Sequence, residues 1–407
     1  MSSDAPIRSS EDLHRVPEPE PLPHGKRFAT KAKTDVPSVV DLLGLDLQGL
    51  EDLLVDMGEK KFRAKQLQQW LHDKRVASVD DMSNLSKALR DKLKQQAALL
   101  HPTIEDVQQS VDGTRKYQLK TFDGHVIEAV YLPNVSGEGK HALCISSQVG
   151  CALGCTFCAT ASLKLTRHLL PGEIVGQLYT VMRDLEAEGL APTSDVGKAK
   201  RSVTRLVYMG MGEPLHNYEG VVASIRQFTG EHGVGLAPHR ITVSTSGMVP
   251  AIARLGVDTT VQIAISLNGS HDEGRAEVMP VNKRWNLDAL LGALKAFPLK
   301  ARRRITFEYV LLEGVNDSDD DARRVVRLLE PFRCRLNLIP YNAHPLSPFK
   351  RPSEERVHAF QRIVKAGGLD AFIRTTRGDD IDAACGMLGA KKLEAARQEQ
   401  RGLPVVE

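Results

Sequence analysis

ALCISSQVGCALGCTFC, Ala142 to Cys158, is an apolar run that gives way to a loop of glycine and cysteine. Its first half, Ala142 to Gln148, has the length and content of a buried strand, and Gly150 and Gly154 punctuate the loop beyond it. The same phrase recurs toward the C-terminus. VTRLVYMG, RITVSTSG, VQIAISLNG, ITFEYVLLEG and CRLNLIPYN are further strand candidates, and amphipathic segments such as PGEIVGQLYTVMRDLEAEG and DDDARRVVRLLEPF separate them. Six strand–helix units predict an α/β fold: a parallel, partial (βα)6 barrel wrapped by helices, over residues 141–376. Chemistry in such folds sits beyond the strands' C-terminal ends, where this chain places SSQVGCALGCTFC, MGMGEPL, STSG, SLNG and PYN.

Toward the N-terminus the period changes. KYQLKTFDGHVIEAVYLP, Lys116 to Pro133, alternates around Asp123-Gly124 and predicts two antiparallel strands, a β-hairpin linker within residues 101–140. LLGLDLQGLEDLLVDMG, FRAKQLQQWLHDK and VDDMSNLSKALRDKLKQQ carry apolar residues at helical spacing, the first ending at a capping Gly58, so residues 38–100 read as a helical accessory domain. Residues 1–37, with PEPEPLP, read as a disordered tail, and residues 377–407 form a C-terminal segment.

Composition bounds the rest. In 407 residues no apolar run is long enough to cross a bilayer, and MSSDAPIRSSEDLHR lacks the plan of a signal peptide, so a soluble cytoplasmic protein with no membrane partner is expected. Six cysteines make no disulfide framework, which leaves reduced thiols, metal ligands or redox chemistry. A net charge of +3 argues against a blanket polyanion binder, although GEKKFRAKQ, LKARRR, RRVVR and RCR concentrate positive charge locally and permit an RNA surface.

Cys151, Cys155 and Cys158 stand at C-x3-C-x2-C on the loop after the first barrel strand. A structural zinc site normally offers four ligands as two close pairs, and a fourth is missing nearby. Three thiolates on one loop instead suit three irons of a 4Fe-4S cluster, leaving the fourth iron open to bind substrate.

With GEP after the second strand, this cluster motif resembles the radical S-adenosylmethionine enzymes. SSQVGCALGCTFCATA, MGMGEPLHN, VSTSG, AISLN and TRGDDIDAACG resemble, more closely, the bacterial radical methyltransferases that modify carbon 2 of adenine in 23S ribosomal RNA and transfer RNA. The resemblance runs from about Asp41 to Gly389. It implies a 4Fe-4S cluster on Cys151, Cys155 and Cys158, and cofactor contacts from Gly212, Glu213, Ser244, Ser266, Leu267, Asn268 and Asn342. It also implies 23S rRNA and tRNA as partners, a flavodoxin-type electron donor and a monomer.

The implied chemistry answers a difficulty with carbon 2 of adenine, which is electron-poor and carries a hydrogen no side-chain base removes directly. Resemblance implies that Cys385 is methylated by one S-adenosylmethionine, and that a radical from a second abstracts hydrogen from the S-methyl group. The resulting carbon radical adds to adenine, and attack by Cys144 then frees the product and leaves a transient disulfide. Glu128 matches the implied proton acceptor. Such a base must be flipped out or unpaired to be enclosed.

RGDDIDAACGML, Arg377 to Leu388, fits this role awkwardly. Its carboxylates and a place in the last turn of a short helix both disfavour a thiolate at Cys385, and alone the residue reads as a buried filler. The three aspartates are expected instead to attract the sulfonium of the methyl donor. Two rivals share the motifs: a methyltransferase acting on carbon 8 of the same ribosomal adenine, and a non-catalytic iron–sulfur or zinc protein that binds RNA. Two departures from the family pattern are Asn268, where relatives often carry His, and an expanded linker from Asn134 to Lys140.

Overall fold

A computed structural model describes residues 40–133, 140–190 and 202–389. The N-terminal tail, nearly all of the Asn134 to Lys140 linker and the chain after Gly389 lie outside the described residues.

The accessory segment is helical, as its periodicity predicts. Helix α1 (Leu47–Asp56) starts where the Asp46 carboxylate accepts from Gly49 N at 2.8 Å. It ends at Gly58, whose φ of 75° lets Glu59 N return to the carbonyl of Leu54. Helix α2 (Arg63–Gln68) continues into a π turn over Gln69–Asp73, and α3 (Lys87–Gln96) is capped by Ser86. Leu50, Leu53, Leu54, Leu67, Leu89 and Leu93 close its core, each such burial worth about 1.5–3 kcal/mol.

Ten strands form one sheet: β1 (Thr103–Gln109), β2 (Arg115–Lys120), β3 (Val126–Leu132), β4 (Ala142–Cys144), β5 (Arg205–Tyr208), β6 (Ile241–Thr245), β7 (Gln262–Ser266), β8 (Ile305–Leu311), β9 (Cys334–Pro340) and β10 (Ala371–Ile373). Each lies beside its neighbour in the chain. β1 to β4 are antiparallel and β4 to β10 parallel. Helices α4 (Ala159–Ser162), α5 (Pro171–Ala187), α6 (Tyr218–Thr229), α7 (Val249–Asp258), α8 (Asp272–Val278), α9 (Leu287–Ala296), α10 (Asp319–Leu329) and α11 (Glu354–Ala366) connect the parallel strands. Among the described residues no ladder joins β1 to β10, so the barrel is partial.

The sequence reading is short by two strands. β1 joins the predicted hairpin but is polar and mostly exposed, so it shows no alternation, and the three-residue β10 adds a seventh parallel strand. Much of the local basic charge is paired: Lys92 and Arg63 with Glu59, Arg323 with Asp320, and Arg304 with Asp370.

One apolar core runs from Leu42 to Leu388, so the accessory helices and the barrel are packed as one body. Asp41 is buried against the start of α5, where it accepts from Gly172 N at 2.6 Å. Only glycine fits there, because a Cβ at 172 would lie 1.9 Å from Asp41 Oδ1. His72 Nδ1 meets the Tyr179 hydroxyl of α5 at 2.6 Å. Burial pushes Asp41 up to about 7 and His72 down to about 4.

Candidate active site

Tyr309 packs on Phe360 of α11 and Phe307 on Phe332, which turns the alternate residues of β8 inward. Register carries that face across the sheet. Cys144 pairs with Val130 and Val207, Ser244 with Ala264, Ser266 with Glu308, and Glu308 with Asn337. Glu128 lies two residues from Val130 on the same side, so the pleat alone gathers Glu128, Cys144, Ser244 and Ser266 onto the inner face.

The strand-end words hold one another in place. Ser146 donates through Oγ to the carbonyl of Glu128 at 2.6 Å and accepts from Met211 N at 2.8 Å. Gln148 Oε1 accepts from Glu213 N at 2.8 Å, while its Nε2 faces the Nδ1 atoms of His168 and His216. Gly212 has φ of 100°, and a Cβ there would lie 2.5 Å from Gln148 Cβ. Its need for glycine therefore comes from Gln148 beside it. Glu213 is buried and accepts from Leu215 N at 3.0 Å and Ser246 N at 2.8 Å; burial raises its carboxyl above the usual range.

The cysteine loop is closed by a short antiparallel pair, Gln148–Val149 with Arg167–His168. Arg167 pins this closure to Asp123 of the β2–β3 turn and to Glu173 of α5, each at 2.7 Å. Burial, Glu213 and Cys158 push the Cys151 thiol up to about 12, although the Leu153 backbone opposes them. Cys155 is raised by burial and then by Cys158, Cys151 and Glu213, and Cys158 is raised by burial. Among the described residues no three His, Cys, Asp or Glu side chains converge on a single ion. Three mutually repelling thiols on one loop, without a common centre, fit a cationic cluster that gives each thiolate its own iron.

Leu267 is fully buried, with its N–H on the Glu308 carbonyl. Asn268, at φ of 50°, turns its side chain into the protein, where Oδ1 accepts from Val310 N and Nδ2 reaches Met279 Sδ. It is therefore not brought together with the inner-face residues by its side chain. Two groups escaped the sequence reading. Arg275, fully buried, donates to the carbonyls of Leu267, Ser246 and Ser266 and so ties the STSG and SLN loops together. Glu308 is an acid in an apolar strand, and its importance follows from register alone.

The segment after β10 is laced across the mouth. Thr376 Oγ1 donates to Asn342 Oδ1, and Asn342 Nδ2 donates to the Cys385 carbonyl at 3.2 Å. Gly378 N reaches Asp112 Oδ2, Val111 N reaches Asp380 Oδ2 and Lys116 Nζ reaches the Asp382 carbonyl. Ala159 N, one residue past the cysteine motif, donates to the Gly386 carbonyl at 2.8 Å, and Gly389 N donates to Glu128 Oε2 at 2.9 Å. Cys385 lies beyond a 3-10 turn, Asp379–Ile381, and not in the last turn of a helix.

The electrostatics also differ from the expectation. Cys385 is exposed as a residue, yet its thiol is raised by burial and then by Glu308 and Cys158, with Arg374 opposing. The neighbouring aspartates are not among these influences: Asp380 is turned to the β1–β2 turn. The buried Cys144 thiol is raised by burial and then by Cys385, so the two thiols lie within electrostatic reach. Cys334, at the start of β9, is an uninvolved buried cysteine facing the Leu329 carbonyl.

Residues 40–99 match the ribosomal RNA large subunit methyltransferase N-terminal domain, and residues 145–326 match the radical SAM superfamily. The chain is 45% identical to the dual-specificity RNA methyltransferase RlmN 2 of Myxococcus xanthus (strain DK1622), over 86% of this chain and 90% of that protein. It is 44% identical to the dual-specificity RNA methyltransferase RlmN of Anaeromyxobacter sp. (strain Fw109-5), over 93% of each. The crystal structure of a radical SAM methyltransferase from Sphaerobacter thermophilus superposes with a TM-score of 0.79 at 40% identity, covering 86% of this chain and 99% of that one. Among the described residues no helix is long and apolar enough to cross a membrane. A radical-SAM sheet, a three-cysteine loop after its first parallel strand and relatives of this identity over nearly their whole length place the chain in the RlmN family of radical S-adenosylmethionine RNA methyltransferases.

Proposed function

We propose that this enzyme methylates carbon 2 of adenine in 23S ribosomal RNA, at the peptidyl-transferase centre, and in transfer RNAs beside the anticodon. It acts in the cytoplasm as a monomer, consumes two S-adenosylmethionine molecules per turnover and takes electrons from a flavodoxin-type donor. The observation that supports a carrier-thiol mechanism is the placement of Cys385: within electrostatic reach of Cys144, and on a loop bonded to the cysteine motif through Ala159 N and the Gly386 carbonyl at 2.8 Å; the choice of carbon 2 rests on the motif resemblance.

With a 4Fe-4S cluster held by Cys151, Cys155 and Cys158, and S-adenosylmethionine beside it, the cofactors supply a carbon-centred radical on one-electron reduction. Glu213, Ser244, Ser266, Leu267 and Asn342 lie where strand ends bind and orient S-adenosylmethionine; the Asn268 side chain reaches it only by leaving Val310 and Met279. Cys385 carries the methyl group on sulfur and presents its activated carbon to the adenine. Glu128, buried on β3 and bonded to Gly389 N, accepts the carbon 2 proton. Cys144 then attacks the Cys385 sulfur, freeing methyladenine and forming the disulfide.

Replacing Cys144 by Ala tests the assignment. The variant is expected to remain covalently joined to RNA through Cys385, and nucleoside mass spectrometry of RNA treated with wild-type enzyme is expected to give 2-methyladenine. Wild-type turnover by Cys144→Ala with no adduct overturns the resolving role, and 8-methyladenine as sole product overturns the site of methylation.

A further inference from the structure

Methyl transfer to Cys385 requires its proton to leave, because the thiolate is the nucleophile. The setting opposes early ionisation, since burial, Glu308 and Cys158 all raise the thiol. The proton therefore needs an acceptor during the step. The Asp380 carboxylate takes the Val111 N–H, and no aspartate is among the main charges acting on the thiol. Glu128, on the opposite wall, is engaged by Gly389 N.

Glu308 is differently placed. It points inward from the middle of β8, level with Ser266 of β7 and Asn337 of β9. Asn337 Nδ2 donates to its Oε1 at 2.8 Å, which fixes the carboxylate, and among the described residues no hydrogen bond is made to Oε2. Arg335 and Arg374 lie near enough to be felt but form no ion pair with it; Arg335 Nε donates to Thr306 Oγ1 at 2.9 Å. Among charged groups Glu308 acts most strongly on the Cys385 thiol.

We propose that Glu308 is the general base for methylation of Cys385, its free carboxylate oxygen receiving the thiol proton directly or through one water as sulfur attacks the methyl carbon. The bond formed is sulfur to methyl, the bond broken is methyl to sulfonium, and the products are S-methylcysteine, S-adenosylhomocysteine and a neutral glutamic acid. Positive sulfonium and negative carboxylate disappear together, so charge balances and no oxidant or reductant is needed. The inference rests on the reading of Cys385 as methyl carrier.

Support comes from acidity. Burial raises Glu308 to about 7 against the pull of Asn337, Arg374 and Arg335. An acid near 7 is a stronger acceptor than an ordinary glutamate, at about 4.3, and is about half ionised at neutral pH and largely ionised above it.

The test uses Glu308→Gln, which keeps an oxygen for Asn337. In cluster-loaded full-length protein, S-methylation of Cys385 is followed by peptide mass spectrometry against pH. The wild-type rate is expected to rise through about pH 7, and Glu308→Gln to be about 100-fold slower and to lack that inflection, as expected for loss of a general base. Retained S-adenosylmethionine binding separates lost chemistry from lost fold, and Glu308→Asp should recover part of the rate with the inflection.

A second readout needs no cofactor. In cluster-free protein, removing the charge at 308 should lower the pH midpoint for iodoacetamide alkylation of Cys385, whereas an unmoved midpoint shows that Glu308 does not face the thiol and overturns the proposal. Wild-type methylation rate and pH profile in Glu308→Gln overturns it while leaving the carrier role intact. Wild-type protein that never acquires methyl on Cys385 overturns the carrier role and the proposal together.

Discussion

Asp380 turns its carboxylate from the thiol five residues onward to the backbone N–H of Val111, and Ser110 and Val111 together hold that carboxyl below its usual range. Asp380 thus fastens its segment to the β1–β2 turn. Asp380→Ala is expected to speed proteolytic cleavage within 377–389 severalfold and leave the alkylation midpoint of Cys385 unchanged; a shifted midpoint restores the electrostatic role. Cys151, Cys155 and Cys158 were legible because ligand spacing is written in the chain. Glu308 was not, since one acid in ITFEYVLLEG looks like a solvent-facing interruption until register assigns it a face.

At the scale of elements, α5 is the post to which other parts are tied. Its first turn receives Asp41, its middle meets His72, and its last turns engage the antiparallel strands through Asp184, which accepts from Tyr117 at 2.8 Å. Tyr179→Phe deprives buried His72 of the hydroxyl at Nδ1 and is expected to cost about 1–3 kcal/mol, measured by urea denaturation. Equal stability shows that the pair contributes nothing net. The long helices and six of the seven parallel strands were readable because period and turn residues agree along many positions. β1 and β10 were not: one is too polar to alternate, and the other is too short to show a period.

For the whole molecule, the shared core means that accessory helices and barrel should unfold together, and acid should reveal it. Burial holds His72 and His101 near 4 in the fold, below the usual value of 6.5, so each contributes stability above about pH 6.5 that is lost as pH falls toward 4. Asp41, raised to about 7, acts oppositely: its stabilisation is full below its ordinary 3.8 and is lost as pH rises through 7. Between roughly pH 6.5 and 4 the two histidines are opposed by two carboxyls raised to about 7: Glu308 on the sheet, and Asp41 as the counterweight beside α5. Asp41→Asn removes the counterweight, so the melting temperature should drop more steeply with acid; an unchanged slope refutes the balance. The strands succeed one another across the sheet in chain order, so most of it can assemble from neighbours as the polypeptide emerges. The Cys385 segment is the exception, closing on Val111, Asp112 and Glu128 from more than 260 residues away. The last piece to dock is thus the one that brings Cys385, and an incompletely synthesised chain would hold the cysteine loop without the thiol proposed to carry the methyl group.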